Sequence, residues 1–147
     1  MALSLQEISD RMEIQDMLYR YADIIDRQNI DELRQVFTAD AHIDYSAFNG
    51  SVGDLESSIA FLKQALPAFS NTQHLNANIQ ITVDGDKGTG RVMCFNPMEM
   101  PAGDEKTLFM LGLWYEDEYQ RSPDGWRISL RREVRSWVFN TPDFMGL

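Results

Sequence analysis

The chain has 147 residues, 44% apolar and 24% charged, with 23 acidic side chains against 13 Lys and Arg. The formal charge of −10 repels phosphate backbones and anionic lipid, so neither nucleic acid nor a membrane surface is an expected partner. The single cysteine, Cys94, excludes an intrachain disulfide and a multi-cysteine metal site, and no apolar run reaches membrane-spanning length.

The length suits one domain, 1–147, able to bury roughly two-thirds of its unfolded surface. Its start, "MALSLQEISDRMEI", lacks the basic residues and apolar core of a secretory signal, so a cytoplasmic location is expected. Ser4-x-x-Glu7 is a capping-box pattern. Beyond it Ile8, Met12, Ile14, Leu18, Tyr21, Ala22 and Ile25 recur at three- and four-residue spacing, which predicts a helix over about residues 5–27. Asn29 and Glu32 can cap a second short helix whose buried side is Leu33, Val36 and Phe37. "AHIDYSAF" reads as a strand with Ile43 and Tyr45 on one face and His42 and Asp44 on the other. A third helix carries Leu55, Ile59, Leu62 and Leu66 and stops near Pro67.

From residue 72 the apolar period becomes two. Strands are expected at about 73–83, 88–97, 107–120 and 126–139, separated by "DGDKG", "PAGDEK" and "SPDG". Helices followed by an antiparallel meander make an α+β plan, with a pocket expected between the layers.

Few residues suggest chemistry. His74 opens an alternating stretch, "HLNANIQITV", where a lone histidine is usually a satisfied border residue. Asp26 stands near the C-terminal end of the first helix, about 140° from Tyr21 and at the edge of its apolar stripe. An exposed aspartate before a turn is the plain reading. A carboxylate within hydrogen-bond reach of His74 would make the imidazole a general base near neutral pH. His42, Asp44 and His74 have the donor types of a two-His, one-carboxylate iron site, but their spacing is unspecific, so no metal and no cofactor are expected. "RISLRREVR" reads mainly as a solvated strand face, and Cys94 as a small buried hydrophobe.

Taken in order, "EIQDMLYRYADIIDRQNIDELRQVF", "AHIDYSAFNG", "TQHL" and "LWYEDEYQRSPDGWRIS" resemble the SnoaL-like branch of the NTF2-like superfamily, along nearly the whole chain. The resemblance implies a cone in which N-terminal helices pack on a strongly curved, mainly antiparallel sheet enclosing a pocket. Within the branch the chain resembles the scytalone dehydratases, bile-acid 7α-dehydratases and γ-hexachlorocyclohexane dehydrochlorinases, lyases that use an Asp–His pair. Matching "DIIDRQ" and "TQHL" to their motifs implies Asp26 and His74 as that pair, with Tyr21 and Tyr45 as hydrogen-bond donors. Arg131, or Arg132 under a one-residue offset, falls on a substrate-contacting arginine. Phe109 and Leu111 replace polar residues of the scytalone dehydratases, implying a more apolar pocket.

The resemblance therefore implies a cofactor-independent dehydratase or dehydrohalogenase for a small, largely apolar cyclic substrate, assembled as a homo-oligomer, trimer or dimer. A ketosteroid-isomerase or polyketide-cyclase type of isomerase shares the fold, as do non-catalytic small-molecule-binding modules. The Asp26–His74 distance and the exposure of His74 discriminate the lyase from the binding module, while lyase and isomerase need the same proton abstraction and stay open.

Overall fold

The computed structural model describes residues 2–147. Helix α1 spans Leu5–Asp26, with Ser4 Oγ accepting the backbone N–H of Glu7 at 3.1 Å. The capping box is only half formed, because the Glu7 carboxylate pairs with Arg11 one turn on. α1 is anchored near its start by Asp10, which accepts from both Nη atoms of Arg121 (2.8 and 2.9 Å) and from Trp126 Nε1 (3.1 Å). Those three hydrogen bonds tie the helix to the hairpin of the last two strands.

The expected second helix is a 3-10 turn, Ile30–Gln35, in which Asn29 makes no side-chain cap. Strand β1 (Phe37–Asp44) begins earlier than the sequence pattern suggests and pairs antiparallel with the short β2 (Val52–Asp54). Helix α2 (Leu55–Ala65) is capped by Asp54, which accepts the N–H of Ser57, and ends in a 3-10 turn containing Pro67.

β3 (Asn71–Thr72), β4 (Leu75–Asp84), β5 (Lys87–Ala102), β6 (Glu105–Ser122) and β7 (Gly125–Phe139) complete the sheet. β5 and β6 extend past the expected ends, so the "PAGDEK" turn tightens to its Gly-Asp centre. The sheet order is β2-β1-β7-β6-β5-β3, with β4 also on β5; the β1–β7 pair is parallel and the others antiparallel. The result is an α+β fold in which the helices cover one face of a mixed sheet. Ile14, Leu18 and Ile24 from α1 meet Phe37, Ile43, Val92, Phe109 and Ile128 from the strands, all fully buried.

β4 departs most from simple alternation. Its register with β5 shifts between Ala77 and Gln80, and Asn78 takes a positive φ of 45°. A bulge of this kind exchanges the two faces of a strand. After it Ile79, Ile81 and Val83 turn toward the core; before it Leu75 and Ala77 are exposed while His74 and Asn76 turn inward. Among the described residues no helix is long and apolar enough to cross a membrane.

Candidate active site

Asp26 is the last residue of α1, and His74 lies in the two-residue link between β3 and β4. His74 Nδ1 is 2.6 Å from Asp26 Oδ1. The same carboxylate accepts the His74 backbone N–H at Oδ2 (2.9 Å) and the Thr72 hydroxyl at Oδ1 (2.9 Å). Burial pushes the Asp26 carboxyl up, but the hydrogen bonds and charge of His74, with help from Thr72, outweigh it and hold the group below its ordinary value. An ionised carboxylate only accepts, so Nδ1 carries a proton, and in the neutral imidazole the free lone pair is on Nε2.

His74 borders a cavity of about 290 Å³ between the helices and the inner face of the sheet. Asp26 stands behind the histidine and does not line it. The lining is mostly apolar, with Phe48, Phe61, Phe69, Leu62 and Leu66 on the helical side and Met98, Leu111 and Leu113 on the strands. Phe144 and Met145 of the C-terminal tail also line it, held by Asn49, which donates to the Met145 carbonyl at 2.8 Å. Tyr21 and Tyr45 are buried, border the cavity and share a 2.8 Å hydrogen bond between their hydroxyls. Burial raises both phenols, chiefly through desolvation, so both stay neutral hydrogen-bond donors. Since one hydroxyl donates to the other, a single proton of the pair is free to point at a ligand.

Two residues expected to touch substrate lie behind the lining. Arg131 is fully buried and paired with Asp117 across the β6–β7 ladder, Nε to Oδ1 at 2.9 Å and Nη2 to Oδ2 at 2.7 Å. Tyr119 also donates to Asp117. The guanidinium lies 4.2 Å from the ring centre of Tyr21 and 3.9 Å from that of Tyr115, so the tyrosines separate it from the cavity. Its strand position points inward, but its charge is already neutralised there. Arg132 faces outward and pairs with Glu116. Phe109 is likewise buried behind Phe69, ring centres 5.7 Å apart, whereas Leu111 reaches the lining.

Three polar residues near the cavity escaped the sequence reading. Thr72 stands two before His74 and helps fix Asp26. Asn96 lines the cavity, and its Oδ1 has no partner among the described residues. A lone amide between Cys94 and Met98 in an otherwise apolar run was its signal. Glu133 also lines the cavity; nothing in "RREVR" separates an inward glutamate from a solvated one. No three His, Cys, Asp or Glu side chains among the described residues converge as a metal site requires.

A match to the SnoaL-like domain extends over residues 6–132. The chain belongs to the SnoaL-like family. An uncharacterised protein of Mycobacterium tuberculosis is 46% identical over 133 residues, 90% of each chain. A structure of a Kribbella flavida protein shares 31% identity with a TM-score of 0.83, covering 90% of this chain and 94% of that one. Two more distant structures share the fold. One is a scytalone dehydratase-like protein of Novosphingobium aromaticivorans (19% identity, TM-score 0.80, 92% and 89% covered). The other is a hexachlorocyclohexane dehydrochlorinase (18%, 0.80, 94% and 93%).

In this SnoaL-like protein the polar groups of the site divide by chemistry. The Asp26–His74 pair and the hydrogen-bonded Tyr21–Tyr45 pair both border the cavity, the first through His74 and the second with both phenols neutral.

Proposed function

We propose that this SnoaL-like protein is a cofactor-independent lyase that eliminates water or halide from a small, largely apolar cyclic substrate. The observation that carries the reading is the 2.6 Å contact between Asp26 and His74 Nδ1, with His74 bordering an apolar cavity. The cavity volume, about 290 Å³, lies at the lower end of ligand pockets and suits one or two rings.

Nε2 of His74 takes a proton from carbon next to a carbonyl or a leaving group, and the ionised Asp26 stabilises the imidazolium that forms. Positioned general bases of this kind contribute about 10²–10⁴-fold in rate. Tyr21 or Tyr45 donates to the oxygen on which negative charge develops, in surroundings where a hydrogen bond to charge is stronger than in water. Return of the proton to another carbon would instead give an isomer.

The test is turnover of a panel of cyclic hydroxyketones and chlorinated rings by the wild-type protein and by His74→Ala, with products identified by mass spectrometry. Unsaturated products whose formation falls by about 100-fold or more in the variant are expected. Rearranged products of unchanged mass would move the assignment to an isomerase. Binding without turnover would leave a small-molecule-binding module.

We also propose that the protein self-associates through the outer face of its sheet, as a dimer or trimer. Leu75, Phe95 and Trp137 lie along one cross-strand row, Phe139 stands in the next, and all four are exposed. Gly112 completes the row because the Trp137 indole lies over it, leaving no room for a Cβ. A contiguous apolar surface of this kind marks an association site.

A further inference from the structure

Glu133 stands on β7 two residues beyond Arg131, opposite Tyr115 of β6, and lines the same cavity as His74 and Tyr45. Two cations share its strand face: Arg131, with Nε and Nη2 committed to Asp117 and Nη1 without a partner among the described residues, and the exposed Arg135; Glu133 forms no ion pair with either. The other titratable groups around it are Tyr21 from α1, Asp44 and Tyr45 at the end of β1, Cys94 from β5 and Tyr115 from β6. None of these is a cation. A carboxyl so placed keeps its proton: burial, opposed by Arg131 and assisted by Asp44, pushes it up to about 8. The cavity therefore holds a base, His74, and a carboxylic acid.

We propose that Glu133 is the acid that protonates the leaving group, and that the substrate is a cyclic β-hydroxy carbonyl compound rather than its halogenated counterpart. The inference rests on the elimination reading above and narrows it. Chloride departs as a stable anion and needs no proton. Hydroxide is a poor leaving group, since its conjugate acid, bulk water, has a pKa of about 15.7. A dehydratase therefore needs a proton donor where a dehydrochlorinase does not. In the step, Nε2 of His74 takes the proton from carbon, and the released electron pair becomes the new C=C bond. The C–O bond breaks, its oxygen takes the carboxyl proton of Glu133, and water leaves. One proton passing from the imidazolium to the Glu133 carboxylate through cavity water restores both groups. A carboxylic acid held neutral by an apolar site is a known device for donating at neutral pH.

Glu133→Gln keeps the shape and the hydrogen-bonding capacity but removes the transferable proton. Wild-type and variant proteins are compared on matched cyclic β-hydroxyketones and β-chloroketones. Elimination of water is expected to fall by about 100-fold or more in kcat, with KM nearly unchanged, while elimination of chloride changes less than about threefold. Equal loss on both leaving groups, or no loss on either, overturns the role of Glu133 and leaves the His74 reading intact. Absence of wild-type turnover on both series overturns the elimination reading and this proposal with it. Difference infrared spectroscopy of the wild-type protein supplies a second measurement. A carboxylic-acid carbonyl band is expected at neutral pH, titrating near 8 and absent from Glu133→Gln. Titration of every carboxyl below about pH 6 overturns the proposal.

Discussion

Asp26→Asn removes one charge and leaves the shape of the site almost unchanged. The wild-type carboxylate accepts three hydrogen bonds, from His74 Nδ1 at 2.6 Å and from the His74 backbone N–H and the Thr72 hydroxyl at 2.9 Å each. An asparagine offers one accepting oxygen. The 2.9 Å bond from the His74 N–H fixes one corner, so the amide NH2 tends to face Nδ1. Nδ1 must then accept, the proton moves to Nε2, and the base is lost from the cavity side. The same exchange behind a catalytic histidine elsewhere costs about 10⁴-fold, and a general base supplies about 10²–10⁴-fold. The expected fall in kcat/KM is therefore about 10²–10⁴-fold, or about 3–5 kcal/mol of transition-state stabilisation. KM should hardly change, because Asp26 does not line the cavity. The stability cost of losing charge-assisted bonds is about 1–3 kcal/mol, a drop of roughly 3–10 °C in Tm for a chain of this size. The variant thus stays folded in a room-temperature assay. Steady-state kinetics with a parallel thermal melt decide the matter. A variant that keeps wild-type kcat, or loses activity only through KM, would refute the role given to the pair. The folded-state pKa of Asp26 is lowered, so its stabilising contribution is present above the unfolded value, near 3.8, and is lost as pH falls through the folded one.

Arg131→Met strands Asp117 in the core and should cost about 3–5 kcal/mol in urea unfolding; Arg131→Met with Asp117→Leu should recover most of it, and a single variant as stable as wild type contradicts the buried pair. Asp10, held down to about 2 mainly by its hydrogen bonds to Arg121, contributes stability above about pH 4 that disappears as pH falls toward 2. Asp10→Asn should be less stable at neutral pH and show a shallower decline across that acid range. Phe144 borders the cavity and stacks on Phe69 with ring centres 6.5 Å apart. Phe144→Ala should raise KM about two- to tenfold at unchanged kcat, whereas a fall in kcat alone would place the tail in the chemistry. Trp137→Glu puts a charge in the middle of the outer apolar row and should convert the proposed oligomer to a monomer by sedimentation velocity; a mass unchanged from wild type excludes that face.

The local elements were legible because local chemistry specifies them. Ser4 caps α1 where the capping pattern begins, and the period-two run after residue 72 becomes four long strands. The Asp26–His74 pairing was reached only through family resemblance, since 48 residues separate the two in sequence. Periodicity alone supported a bland histidine.

Tertiary structure decided the rest. Alternation along β4 was visible, but which set of residues faces inward was not. The register shift at Asn78 exchanges the faces, bringing His74 and Asn76 to the interior while Leu75 is exposed. "RREVR" shows five residues of one strand without saying which side the sheet closes over. Wrapping that strand beneath α1 buries Arg131 against Asp117, puts Glu133 at the cavity and leaves Arg132 outside. Charge alone predicts solvent for all three. The chain by itself determined its two α-helices and four long strands, because these follow from spacing and caps. Which polar groups the cavity encloses depends on register and on the closing of distant strands, and the energy of burying a charge is defined only once its neighbours are in place.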